Sequence, residues 1–131
     1  MARGTVTPVL MQLNGGTVGT STAVDAVNNL AVTSADGLWR RNFVQITNTS
    51  AGVGTVAIEP GVYGVGPAFL GFAGTAAAAG TTYVVIAAAG TAFFALEGAR
   101  YVQADGLSIY LDFTPAGFTG AVYAYELPAN L

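Results

Sequence analysis

The stretch Asn42-Phe-Val-Gln-Ile-Thr-Asn-Thr-Ser-Ala-Gly-Val-Gly-Thr-Val-Ala-Ile-Glu59 decides the fold class of this chain. In its first arm Val44 and Ile46 alternate with polar residues, and in its second arm Val56 and Ile58 do the same. Strict alternation over two short arms is typical of half-buried β-strands. The Asn-, Ser- and Gly-rich residues between the arms favour a turn. The stretch therefore predicts an antiparallel β-hairpin.

Further short apolar segments follow this stretch at about ten-residue spacing, separated by Gly and Pro. Asp105-Gly106 is a favoured two-residue hairpin turn, and no segment has the length of a stable helix. The pattern predicts an all-β fold, either an antiparallel β-sandwich or a jelly-roll-like barrel of about eight strands. The later predicted strands are residues 81–87, 92–96, 99–104, 107–113 and 121–127.

The start of the chain predicts an extended arm. Residues 5–13 are rich in strand-forming side chains, and Pro8 suits an edge or an arm better than a central strand. A turn at residues 14–16 ends the segment. We therefore predict an arm over residues 1–16 and a single β-sandwich domain over residues 17–131, long enough to bury its own core. The weak pattern of residues 17–35 fits either a short helix or a strand.

Composition excludes several classes of function. The chain has no cysteine and no histidine, so it lacks the usual zinc ligands and any Ser-His or Cys-His nucleophile pair. Charged residues make up 8% of the chain, with four arginines and no lysine, and the net charge is -3. So few cations argue against nucleic-acid binding. A surface this poor in charge is typical of a subunit partly covered by other protein.

One long uncharged segment raises the question of a membrane-spanning helix. Residues 60–96 contain no charged side chain, and this window is long enough for a membrane-spanning helix. However, Gly74, Gly80 and Gly90 divide it at strand-sized intervals, and no basic flank marks a cytoplasmic side. We therefore expect no contact with a membrane.

The few acidic residues are the remaining candidates for chemistry. Asp105 and Asp112 are the nearest approach to a catalytic carboxylate pair, but Asp105 suits a turn and neither has a cationic or nucleophilic neighbour in the sequence. Glu59 and Glu97 flank predicted strands, where carboxylates are normally solvated. The Gly-rich segments lack a P-loop lysine. We therefore predict no catalytic residue, no metal site and no cofactor.

Two aromatic clusters are candidates for an interface. Trp39-Arg40-Arg41 combines the residue types that most often dominate interface energy, although the same tripeptide also fits the start of an amphipathic strand. Tyr123 and Tyr125 share one face of the last predicted strand. Such tyrosines fill a core or an interface, or stack on a carbohydrate.

The order of these segments resembles the small capsid decoration (cement) proteins, also called head proteins, of tailed bacteriophages. The resemblance rests on an extended Thr-x-Thr-Pro start at residues 5–8 and on the pattern Phe-Val-Gln-Ile-x-Asn-Thr-Ser-Ala-Gly-x-Gly-Thr-Val-x-Ile at residues 43–58. An Ala-Gly-Thr-Thr step at residues 79–82 and a closing aromatic strand at residues 121–127 complete it. It covers most of the chain with turn and strand patterns.

The resemblance implies a non-enzymatic subunit, homotrimeric, on the outer surface of the virion capsid and made in the host cytoplasm. It would bind the major capsid protein and tie neighbouring capsomers together, with residues 2–10 docking on that protein or on a sister subunit. The alternative is a receptor- or glycan-binding module of a phage fibre or cell-surface protein. The candidate interface residues are Arg3, Thr5, Val6, Pro8, Trp39, Arg40, Arg41, Tyr123 and Tyr125.

Overall fold

A computed structural model of the chain describes residues 2–34, 42–61, 81–95 and 98–128. Within these ranges the protein is almost entirely β, which confirms the predicted fold class. The described part contains one helical turn, α1 (Gly98–Tyr101). Its strands are β1 (Gly4–Val6), β2 (Val9–Leu10), β3 (Thr22–Ala23), β4 (Leu30–Thr33), β5 (Asn42–Asn48), β6 (Gly54–Ile58), β7 (Thr82–Ile86), β8 (Thr91–Ala95), β9 (Ser108–Thr114) and β10 (Gly120–Glu126).

The strands form two sheets that enclose one hydrophobic core. Sheet A has the order β1-β4-β9-β6-β7, and sheet B has the order β2-β10-β5-β8, with β3 also paired to β10. Alternate residues of each strand point inward, so the valines and isoleucines of β5 and β6 are at most 1% exposed. Burial of both inner faces against each other is the arrangement of a β-sandwich.

The predicted hairpin between β5 and β6 is wrong, although both of its strands are present. β5 pairs with β8 and β10 in sheet B, whereas β6 pairs with β7 and β9 in sheet A. The residues between them therefore carry the chain from one sheet to the other, a gap of about 10 Å. Alternation of apolar and polar residues shows only that one face of a strand is buried. Two consecutive strands have this pattern whether they pair within one sheet or lie in opposite sheets across the core.

Asn48 explains how this crossing is held. Its side chain is fully buried at the end of β5. The amide Nδ2 donates to the carbonyls of Gly52 and Ile86 over 2.9 and 3.0 Å, and Oδ1 accepts from the backbone N–H of Ser50. One side chain thus ties the connecting loop to the end of β7, which supports the turn role expected of this Asn-rich segment.

The N-terminal residues belong to the sandwich. β1 pairs in parallel with β4, and β2 pairs in parallel with β10, so residues 4–10 join both sheets. Val6 is 1% exposed and lies in the core. The predicted extended conformation is present, but the segment packs on its own chain, because burial of Val6 and two sets of strand hydrogen bonds hold it there. The parallel pairs also make both sheets mixed rather than purely antiparallel.

The region before β9 differs from the prediction in a second way. The strand predicted over residues 99–104 is replaced by α1 and a short loop. The Asp105-Gly106 turn is present, with Gly106 at φ 73°. It is closed by a hydrogen bond from the N–H of Gln103 to the carbonyl of Ser108, rather than by two flanking strands.

Some predictions lie outside the described residues, namely those on residues 39–41, on Glu97 and on the glycines at positions 74 and 80. In the part of the chain that the structure describes, no helix has the length and apolar character needed to cross a membrane.

Candidate functional site

Arg3 joins two carboxylates on the outer face of sheet A. Its Nη1 donates to Asp112 Oδ1 over 2.6 Å, and its Nη2 donates to Glu59 Oε1 over 2.7 Å. The guanidinium carbon lies 4.2 Å from the ring centroid of Tyr110, within cation–π range. We call Arg3, Glu59, Tyr110 and Asp112 the Arg3 cluster. Through it, the residue that precedes β1 reaches across β4 to β9 and to the end of β6.

The Arg3 cluster contains one more carboxyl group than its single cation can balance. The pKa of Glu59 is therefore raised from 4.5 to about 7. A hydrogen bond with the Asp112 carboxyl is the largest cause, followed by partial burial and by the negative charge of Asp112, while Arg3 acts in the opposite direction. Two adjacent carboxyl groups favour a state in which one of them keeps its proton.

The geometry of the Arg3 cluster suits a structural role, holding the start of the chain on sheet A, better than a catalytic one. A carboxyl group with a pKa near 7 meets one requirement of a general acid or base. However, Arg3 already occupies an oxygen of each carboxyl group, and none of the four cluster residues lines the cleft described below. Arg3 directly precedes β1, so the cluster fastens the start of the chain to sheet A.

The sequence did not reveal the Arg3 cluster. Glu59 was expected to be solvated, but it is half-buried and paired with Arg3. Asp112 has no cationic neighbour in the sequence, and its cationic partner comes from the start of the chain. Asp112 lies inside β9, and the residues that Arg3 binds are 56 and 109 positions away in the sequence. The only local signal is that Asp112 and Tyr110 alternate with buried residues, which places both on the outer face.

Asp105, the other member of the predicted carboxylate pair, has a separate role. Its Oδ1 accepts from the N–H groups of Leu107 and Ser108, and its Oδ2 accepts from the Ser108 hydroxyl. These bonds, with that from the hydroxyl first, hold the pKa of Asp105 below its usual range. Asp105 therefore stabilises the turn before β9, as its position beside Gly106 predicted.

A second candidate site covers the outer face of sheet B. The Phe43 and Tyr125 rings stack with their centroids 5.1 Å apart. The Tyr123 and Tyr125 rings are nearly parallel, with an interplanar angle of 3° and a centroid distance of 6.3 Å. In the next row Gln45 lies between Tyr123 and Phe93, whose side chain is 66% exposed. We call Phe43, Phe93, Tyr123 and Tyr125 the aromatic face. The structure thus brings together the two tyrosines predicted from the sequence.

A cleft of about 370 Å³ lies beside the N-terminal strands. Its walls carry hydroxyl and apolar groups and no charged side chain. The cleft contains two of the predicted interface residues, Thr5 and Pro8. The lining residues are Thr5, Thr7, Pro8, Val9, Thr20 and Thr22.

The remaining predicted interface residues are dispersed. Arg3 is engaged in the Arg3 cluster, and Val6 is buried in the core, so neither presents a free side chain on the surface. Trp39, Arg40 and Arg41 lie outside the described residues.

Metal binding and similarity to known proteins give no further assignment. In the described ranges, the acidic side chains form no group of three that could hold a metal ion. Comparison of the chain with family models, with curated proteins and with solved structures found no match.

Proposed function

We propose that this chain is a non-enzymatic virion structural protein, a decoration (cement) subunit on the outer surface of a tailed-bacteriophage head. It acts as a homotrimer, binds the major capsid protein and stabilises the contacts between neighbouring capsomers. The observation that carries this proposal is the aromatic face, which combines four aromatic side chains on a regular sheet surface without a charged residue among the paired positions of β5, β8 and the outer face of β10.

The chemistry of this surface is that of an interface. Aromatic residues are enriched and charged residues depleted at the centre of protein–protein contacts. By contrast, the described ion pairs, Arg3 with Glu59 and Arg3 with Asp112, both lie on sheet A. The part of sheet A around β9 is therefore more polar than the outer face of β5 and β8, which suits burial against another protein.

The position of the N-terminal strands changes the role that residues 2–10 have in the proposal. Because Val6 fills the core and β1 and β2 complete both sheets, this segment contributes to the body of the subunit. Its deletion is expected to weaken folding as well as binding. The contact with the capsid is therefore better tested by changing single side chains on the aromatic face.

Quantitative mass spectrometry of purified particles tests the location. A decoration subunit is expected in hundreds of copies per head, in a fixed ratio to the major capsid protein. Heads stripped of the protein should then rebind the wild type, whereas Phe93→Asp should bind at least tenfold more weakly, because it places a charge in a desolvated contact. Val27→Asp, which changes another exposed side chain, is the matched control. Absence from particles, or equal binding of all three proteins, would refute the proposal.

A receptor- or glycan-binding module is the second candidate. The observation in its favour is the exposed ring of Phe93, which lies in the same row of sheet B as Tyr123, because an exposed aromatic ring can stack on a sugar. This candidate predicts measurable binding to bacterial polysaccharide that Tyr123→Ala abolishes. The decoration role predicts no such affinity, so a polysaccharide-binding assay separates the two.

A further inference from the structure

β7 is the last strand of sheet A in the part of the chain that the structure describes. Among the described residues it pairs with β6 only, and it ends the strand order of sheet A. On its outer face Tyr83 and Val85 are 66% and 68% exposed, while Val84 between them packs against the core. Since no other described strand pairs with the second side of β7, its backbone groups can accept another strand.

The sequence of β7 has none of the features that normally protect an edge. Natural edge strands carry lysine, proline or inward-pointing charges, or are interrupted by bulges. β7 is Thr-Tyr-Val-Val-Ile, five residues with high strand propensity. No charged residue occurs anywhere between positions 60 and 96. An edge of this kind is suited to pairing rather than to contact with water.

We infer that β7 pairs antiparallel with β7 of a second copy of this chain, about a two-fold axis through Val84. Val84 is the centre of the five-residue strand, so this register matches every residue of β7 with one of the partner copy. It places Tyr83 of each copy opposite Val85 of the other on the outer face. Aromatic and β-branched residues form favourable cross-strand pairs.

Charge and symmetry favour a second copy as the occupant. A protein with a net charge of -3 repels its own copies at long range, but this edge contains no charge, so the contact itself adds no like-charge repulsion. A two-fold contact needs one self-complementary patch, which the pairing of Tyr83 with Val85 supplies. Two sheets A then join into one continuous sheet. This inference concerns the protein free in solution; the homotrimer is proposed for the subunit bound to the capsid and is a separate assembly, so the inference does not rest on the capsid role.

Analytical ultracentrifugation tests the pairing. The wild type is expected to have twice the mass of Val85→Lys, because a lysine opposite Tyr83 of the other copy leaves a charge in the contact. Val27→Lys, at another exposed valine, should keep the wild-type mass. Tyr83→Lys provides a second disruptive variant if Val85→Lys fails to fold. Equal masses for the wild type and the folded edge variant at every concentration would overturn the inference.

Disulfide trapping tests the register, since the chain has no cysteine of its own. Val84→Cys should form a disulfide-linked dimer under mild oxidation, because directly opposed residues have Cα atoms about 5 Å apart. Val85→Cys should not, because two copies of residue 85 would lie about 8 Å apart, beyond the reach of a disulfide. Failure of Val84→Cys to cross-link, or equal cross-linking of both variants, would rule out this register.

Discussion

The substitution Glu59→Gln should change the pH dependence of folding stability. Glutamine keeps the size of the side chain and is uncharged, so it resembles the protonated state that Asp112 favours at Glu59. It can still accept from Arg3 and can donate to Asp112. We therefore expect a smaller difference in stability between the two proteins at pH 5 than at pH 8, where Glu59→Gln should be the more stable.

The sign follows from proton binding. Because the pKa of Glu59 is raised in the folded state, the folded protein holds this proton up to about pH 7, whereas the unfolded chain loses it near 4.5. Stability falls with pH wherever the folded state binds more protons. The contribution of Glu59 is thus fully present below pH 4.5 and is lost as the pH rises to about 7.

The shift in pKa sets an upper limit on the size of this effect. At 1.36 kcal/mol per pH unit, a change from 4.5 to about 7 corresponds to at most ~3.4 kcal/mol. The side chain of Glu59 is 35% exposed, so solvent screens much of this energy. We expect a difference of about 1 kcal/mol at pH 8, or about 3–5 °C in Tm for a chain of this length.

Urea unfolding of both proteins at pH 5 and pH 8 measures the difference. The chain has no histidine or cysteine, so few other groups titrate between these values. Asp25→Asn is the control, because hydrogen bonds from Asn28 and Val27 lower the pKa of Asp25 and its effect should be the same at both pH values. A Glu59→Gln protein that is less stable than the wild type by the same amount at pH 5 and pH 8 would refute the reasoning.

Two further substitutions test the ends of the sandwich. Asn48→Ala should lower the free energy of unfolding by about 2–3 kcal/mol, measured by urea denaturation, because buried carbonyls such as that of Ile86 lose their donor. Gly54→Ala should lower it by about 1–3 kcal/mol, because a Cβ there would lie 2.3 Å from the buried Phe118 ring; Gly52→Ala meets nothing within 4 Å and should change it by less than about 0.5 kcal/mol.

The strands were predictable because alternation is a local signal. Four of the five later predicted segments overlap β7, β8, β9 and β10, with ends shifted by at most one residue, and the two arms of the opening stretch are β5 and β6. The partners of these strands were not predictable, because a buried valine has the same pattern whether its strand turns back or crosses the core. The prediction of a strand at residues 99–104 was wrong for a related reason. Tyr101 and Val102 are buried, but they belong to a helical turn and to the loop that follows it.

The candidate sites differ in the same way. The tyrosines of the aromatic face lie two residues apart on one strand, so the sequence predicted their common face. The Arg3 cluster depends on strand order, which brings the start of the chain next to β4 and within reach of β9 beyond it. An ion pair between residues 109 positions apart has no local signature in the sequence. Any of the four basic residues could pair with a given carboxylate.

The distribution of charge connects the fold with both proposals. Arg3 is one of only four basic residues, and it is used inside the chain, where it fastens β1 to sheet A. The strands β5, β7 and β8 carry no charged side chain, so their outer surfaces offer no electrostatic barrier to close contact. Phe93 projects from sheet B and Val85 from sheet A, on opposite sides of the sandwich. One subunit can therefore bind a capsid through sheet B while β7 pairs with another copy, since the two contacts use different surfaces.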